Sequence, residues 1–145
     1  MMKTTARPTL LSGSALLLGL LALAGCKDGP VARAPRVYAI DMNGKARACT
    51  AADADTSAGK ATEATISMSN EGGWCGVLTR QGGRPYAAGL VQTRPQHGMV
   101  HIHTVGDDTR VDFVPDAGFS GQDKFSVRLL PGNATLNVAV TVTPR

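Results

Sequence analysis

Glutamate is almost missing from this chain: Glu63 and Glu71 are the only two in 145 residues. That shortage speaks against a paired-carboxylate hydrolase, which needs one acid and one base facing each other. Aromatics are also sparse, with one Trp, two Tyr and three Phe. Trp74 and Tyr86 could form a ligand surface, but single aromatics of this kind are read as core. Lys and Arg total 15 against 11 Asp and Glu and occur singly, without a run. No electrostatic footprint for nucleic acid is therefore visible. Gly118-Phe119-Ser120-Gly121 lacks the nucleophile-elbow spacing, because a Gly is needed two residues after the Ser and position 122 is Gln. Asp107, Asp108, Asp112, Asp116 and Asp123 lack the spacing of an EF-hand loop. The reading is non-enzymatic, with no cofactor.

What the chain does have begins at its N-terminus. Met1–Pro8 carries Lys3 and Arg7 and no acid, and Thr9–Ala24 (TLLSGSALLLGLLALA) carries no charge. Such a run is shorter than the roughly 20 residues of a bilayer span and suits the apolar region of an export signal. It ends Leu23-Ala24-Gly25-Cys26, which resembles the lipobox of bacterial lipoproteins, where small residues fit the peptidase and the Cys sulfur accepts a diacylglycerol. The resemblance implies a signal peptide over residues 1–25 and a lipidated, palmitate-bearing Cys26 as mature N-terminus. The protein would then be anchored to a membrane of the bacterial cell envelope. Each buried CH₂ contributes about 0.8 kcal/mol, so three acyl chains make a stable anchor. Lys27 rather than Asp follows the Cys, which under enterobacterial-type sorting favours the outer membrane, periplasmic or surface side, over the inner one. From Cys26 onward 120 residues remain, with 13 basic and 11 acidic side chains, the size of one domain.

Lys27–Arg36 (KDGPVARAPR) has two prolines, a glycine and no apolar period. Residues 26–36 are thus the lipidated Cys and its tether, and residues 37–145 the folded domain. From Val37 the pattern is period two. Strands are expected over Val37–Met42, Thr62–Ser69, Trp74–Thr79, Tyr86–Thr93, Met99–Val105, Arg110–Val114, Lys124–Leu129 and Thr135–Thr143. Turns fall at Asn43-Gly44, Glu71-Gly72-Gly73, Gln81-Gly82-Gly83, Gly106-Asp107-Asp108 and Pro131-Gly132-Asn133, and Ala51–Lys60 reads as a loop. This spacing predicts an all-β, antiparallel sandwich of about seven to eight strands. With Cys26 acylated, Cys49 and Cys75 remain as a pair in an oxidising compartment. A bridge between them would close a 27-residue loop, with the Trp74 indole over the sulfurs. Metal ligation with a histidine or a reactive thiol are the alternatives.

One stretch carries a family likeness. It reads Pro95-Gln96-His97-Gly98-Met99-Val100, then the turn Gly106-Asp107-Asp108 and Phe113-Val114-Pro115, then Gly118-Phe119-Ser120-Gly121-Gln122-Asp123-Lys124-Phe125. This resembles the repeat of bacterial Ig-like and cadherin-like surface domains: Pro-x-His-Gly-x-Val, a hairpin, an aromatic strand ending in Pro, and Gly-Phe-x-Gly-x-Asp-x-Phe. The resemblance implies an Ig-like sandwich. Phe119 would plug its end while Gly118 and Gly121 permit the tight backbone around it. Asp123 would bond loop amides, and Phe113, Phe125 and Val127 would fill the core.

His101-Ile102-His103 is the sharpest chemical feature. Residues i and i+2 of a strand share a face, so both imidazoles could grip one Zn²⁺ or Cu²⁺, with His97 as a third ligand. The plainer reading is two solvated histidines. The expected function is a lipid-anchored module binding an envelope protein or glycan. A periplasmic metal-binding lipoprotein using His101 and His103 is the alternative.

Overall fold

From Ala134 to Thr143 every second side chain is buried, Ala134, Leu136, Val138, Val140 and Val142, while those between them are half-buried or exposed. A period of two with β-branched residues on the inner face makes a strand with one face on a core. The same alternation recurs along the chain, and a computed structural model, which describes Arg36 and residues 38–145, assembles the result into eight strands. They are β1 (Cys49–Ala51), β2 (Ala61–Ser69), β3 (Cys75–Thr79), β4 (Ala88–Thr93), β5 (Gly98–Val105), β6 (Asp108–Pro115), β7 (Gly121–Leu130) and β8 (Ala134–Thr143). The expected signal peptide, Cys26 and the expected tether up to residue 35 lie outside the described residues, as does Val37.

The strands form two sheets, one ordered β1-β2-β8-β7-β4 and one ordered β3-β6-β5. Ile66, Val127, Leu129, Leu136, Val138 and Val140 from the first meet Val77, Val111 and Phe113 from the second in one core. Phe113 and Phe125 stack across it with ring centres 6.0 Å apart. The fold is thus an all-β sandwich. Among the described strands, all strand-to-strand pairings but one are antiparallel. β2 runs parallel to β8 over nine residue pairs, Ala61↔Thr135 to Ser69↔Thr143. Alternation fixes which side chains face inward and is silent on strand direction, so this pairing was not readable from the pattern.

Two other expectations change. Within the expected strand Val37–Met42, Ala39–Met42 is instead a 3-10 turn. Its backbone is satisfied locally, with Asp41 N donating to Tyr38 O and Asn43 N to Ile40 O, while the Asp41 carboxylate accepts from Tyr38 N. The expected loop from Ala51 also starts later, since Cys49–Ala51 pairs with Met68–Ile66 as β1.

Cys49 and Cys75 form a disulfide with their Cα atoms 5.5 Å apart. It ties β1 of the larger sheet to β3 of the smaller. The Trp74 indole does not lie over it. Successive residues of an extended chain point to opposite faces, so with Cys75 fully buried in the core Trp74 turns outward. Tyr86 is core, with its hydroxyl 2.7 Å from Thr56 Oγ1.

Candidate functional site

β6 alternates two kinds of residue. Thr109, Val111 and Phe113 face the core, where Thr109 Oγ1 accepts the Tyr86 amide. Asp108, Arg110 and Asp112 therefore share the outer face of the three-stranded sheet, a place where charges are normally wet. Here they are buried, at 0, 9 and 2% exposure. The reason is the chain before β1, which crosses this face as a strap. Arg110 Nη1 donates to Asp41 O, Trp74 Nε1 to Asn43 O at 2.8 Å, and along the backbone Trp74 N donates to Gly44 O and Ala46 N to Trp74 O.

Beneath the strap Arg110 and Asp112 make a forked pair, Nε to Oδ1 at 2.8 Å and Nη2 to Oδ2 at 3.0 Å. The guanidinium carbon also lies over the Trp74 ring, 3.6 Å from its centre, the geometry of a cation–π contact. Burial pushes the Asp112 carboxyl up from its ordinary range; Arg110, His103 and His101 pull it down but do not cancel the rise. Gly76 on β3 is needed for space: a Cβ there would collide with Asp112 Oδ1. Asp108 is paired less well. Arg80 Nε stands 2.7 Å from its Oδ1, but the N–H is not aimed at it, and neither oxygen has a hydrogen bond. Charge alone holds that pair, and burial raises the Asp108 carboxyl despite Arg80.

His101 and His103 project from β5 beside this ladder, opposite Asp112 and Arg110. Both are exposed, their ring centres are 6.0 Å apart, and His103 Nε2 is 3.5 Å from Asp112 Oδ2. His97 does not join them. Its ring stacks on Phe119, 4.4 Å between centres and 1° from parallel. Among the described residues no three His, Cys, Asp or Glu side chains are arranged to hold a metal.

The family-like stretch builds a second cluster. Asp123, its side chain 3% exposed, accepts the amides of Gln96 (3.0 Å), His97 (2.7 Å) and Lys124 (2.8 Å). Burial pushes its carboxyl up, but those three amides and the His97 ring outweigh it, so the net shift is downward. Gly118 and Gly121 take φ values of +78° and +137°, which L side chains avoid, and Phe119 packs against the core between them. Asn70 locks the loop by donating to Asp116 O and Phe119 O at 2.7 and 2.9 Å. Phe125 is buried in the core. These residues position one another, and the loop before β5 hangs on them.

Sequence reasoning weighed Asp108 and Asp112 only as calcium ligands and passed over Arg110, Arg80 and the strap. Charges at every second position of β6 were the available sign. Comparison with protein-family models returned no match, and a search of curated proteins returned none either.

Proposed function

We propose that this chain is a lipid-anchored, non-enzymatic module that binds a protein of the cell envelope. The observation that carries the reading is a clustering of exposed apolar side chains. Five large ones are exposed among the described residues, and three of them, Tyr38, Ile40 and Met42, sit on the strap's 3-10 turn. Single apolar residues on a surface are ordinary, whereas a group of them marks a contact site. An apolar turn suits a protein partner better than a glycan, which asks for polar groups. Its place in the chain fits the anchor proposed at Cys26. The ten residues of Lys27–Arg36 reach at most about 35 Å, so the partner belongs to the same envelope.

The test is a photo-crosslinking residue at Ile40 in the full chain, in its own cells, with a matched probe at exposed Lys60. A discrete protein adduct is expected from position 40, absent from position 60 and lost when Cys26→Ser removes the anchor. No adduct, or equal labelling from both positions, overturns the reading.

A further inference from the structure

We propose that His101 and His103 are half of a transition-metal site whose other half comes from a second copy of this chain, the two copies joining edge to edge along β5. Two open sheets leave four edge strands, β1, β4, β3 and β5. Native edges are blunted to prevent pairing with other chains, and three of these are. β1 is three residues long. β4 is interrupted by a register shift between Val91 and Thr93. The outer edge of β3 is taken by Ala46, which donates to Trp74 O, and by Ala54, which donates to Leu78 O.

β5 has no such protection. It runs eight residues, GMVHIHTV, in unbroken register with β6 and holds no Lys, Glu or Pro. Among the described residues, no loop or second strand makes a backbone hydrogen bond to the free side of Met99–Val105. Such an edge accepts another strand.

The histidines select which strand. Two imidazoles on one tetrahedral zinc keep their ring centres about 5 Å apart. His101 and His103 stand at 6.0 Å and are exposed, free to close the difference by side-chain rotation. Two ligands leave a tetrahedral site half empty, and among the described residues of the same chain no third is at hand. A two-fold axis at Ile102 completes the set. In an antiparallel β5–β5 pair His101 then lies opposite the partner subunit's His103, and His103 opposite the partner subunit's His101. Cross-strand Cβ atoms sit about 5 Å apart, so four imidazoles converge on one face. Asp112 is in place behind them. Its carboxylate, 3.5 Å from His103 Nε2, leaves Nδ1 to face the metal, the arrangement by which a carboxylate orients a ligating histidine. Four neutral imidazoles suit Zn²⁺ or Cu²⁺. The site shares no residue with the apolar turn, so either proposal can fail alone.

The full-length chain, purified in detergent, is titrated with Zn²⁺ alone while its protein mass is followed by light scattering and its metal content by elemental analysis. The chain is expected to be a monomer in EDTA and a dimer with one Zn²⁺ per two chains. His101→Ala and His103→Ala each weaken zinc binding at least ten-fold and abolish the dimer; His97→Ala changes neither. With Cu²⁺ as probe, nitrogen hyperfine structure should report four imidazoles. Zinc bound one per chain without dimerisation, a dimer indifferent to EDTA, no binding at micromolar Zn²⁺, or a two-nitrogen copper spectrum each overturns the proposal.

Discussion

Asp112 and Asp123 are both nearly without exposed side-chain surface, yet they are held as anions in opposite ways. Asp112 relies on counter-charge, chiefly Arg110 with His103 and His101 beside it, and its carboxyl ends above its ordinary range because burial outweighs those partners. Removing one member of a buried ion pair strands the other, a loss of about 3–5 kcal/mol. Arg110→Ala should therefore destabilise the domain by about 3 kcal/mol, read from the urea midpoint. A loss confined to a few tenths would show that water reaches Asp112 under the strap. Asp123 relies on backbone amides, and these carry its carboxyl below the ordinary range after burial has raised it. The direction fixes the pH behaviour. A lowered carboxylate contributes fully above its unfolded value of about 3.9 and loses that contribution as pH falls through the folded one. Asp123→Asn turns an amide N–H₂ toward donors, at about 1.5–3 kcal/mol near neutral pH for bonds to a charged acceptor. The gap between Asp123→Asn and the native chain should be constant from pH 7 to 5 and shrink below about pH 4; a gap that widens in acid would contradict this.

At the level of elements, strands were legible because their periodicity follows from one buried face. Leu136, Val138, Val140 and Val142 could be assigned inward from the pattern alone, and the turn at Gly106-Asp107 joins β5 to β6 where the two residues fall. Direction and partner were not legible, since the β2–β8 pairing spans most of the domain and depends on the whole assembly. The 3-10 turn at Ala39–Met42 escaped because its bonds are local and its apolar residues alternate as a strand's would. The Asp123 cluster lies within the Pro95–Phe125 stretch that carried the resemblance, and its bonds to loop amides were anticipated there. The Arg110–Asp112 pair could not, because what buries it is the strap. The disulfide was readable from cysteine count, and it has a clear mechanical place. β1 is only three residues long and the bridge binds it to the opposite sheet. Closing a loop between residues 26 apart in sequence stabilises by about 3–4 kcal/mol on chain-entropy grounds. Reduction, or Cys49→Ala with Cys75→Ala, should lower stability by about that amount, and hydrogen exchange should speed first in β1. Equal acceleration in β8 would mean that the bridge supports the whole sandwich rather than that edge.

Over the whole molecule, the strap leads into the sandwich, and Trp74 is one of the two side chains, with Arg110, that hold it. The indole does two separable things. Its N–H donates to Asn43 O, and its face carries the Arg110 guanidinium. Trp74→Phe removes the first and keeps the second. One neutral hydrogen bond is worth about 1 kcal/mol, so local opening of the strap should become about five-fold more frequent. The readout is exchange of the Asp41, Asn43 and Lys45 amides, which bond back to Tyr38, Ile40 and Met42. Trp74→Ala removes both contacts, adding a cation–π loss of about 1–2 kcal/mol and opening the cover over Arg110 and Asp112. Its strap amides should exchange faster again, and the melting temperature should fall, since a buried charge pair then meets water. If Trp74→Phe slowed or left unchanged those three amides, the strap would be held by its own 3-10 turn. If it accelerated them together with the core amides of β8, the strap and sandwich would unfold as one unit. A strap that opens alone keeps the apolar turn on a hinge of its own, and tension on the chain before it would then be borne by Trp74 before it reached the core.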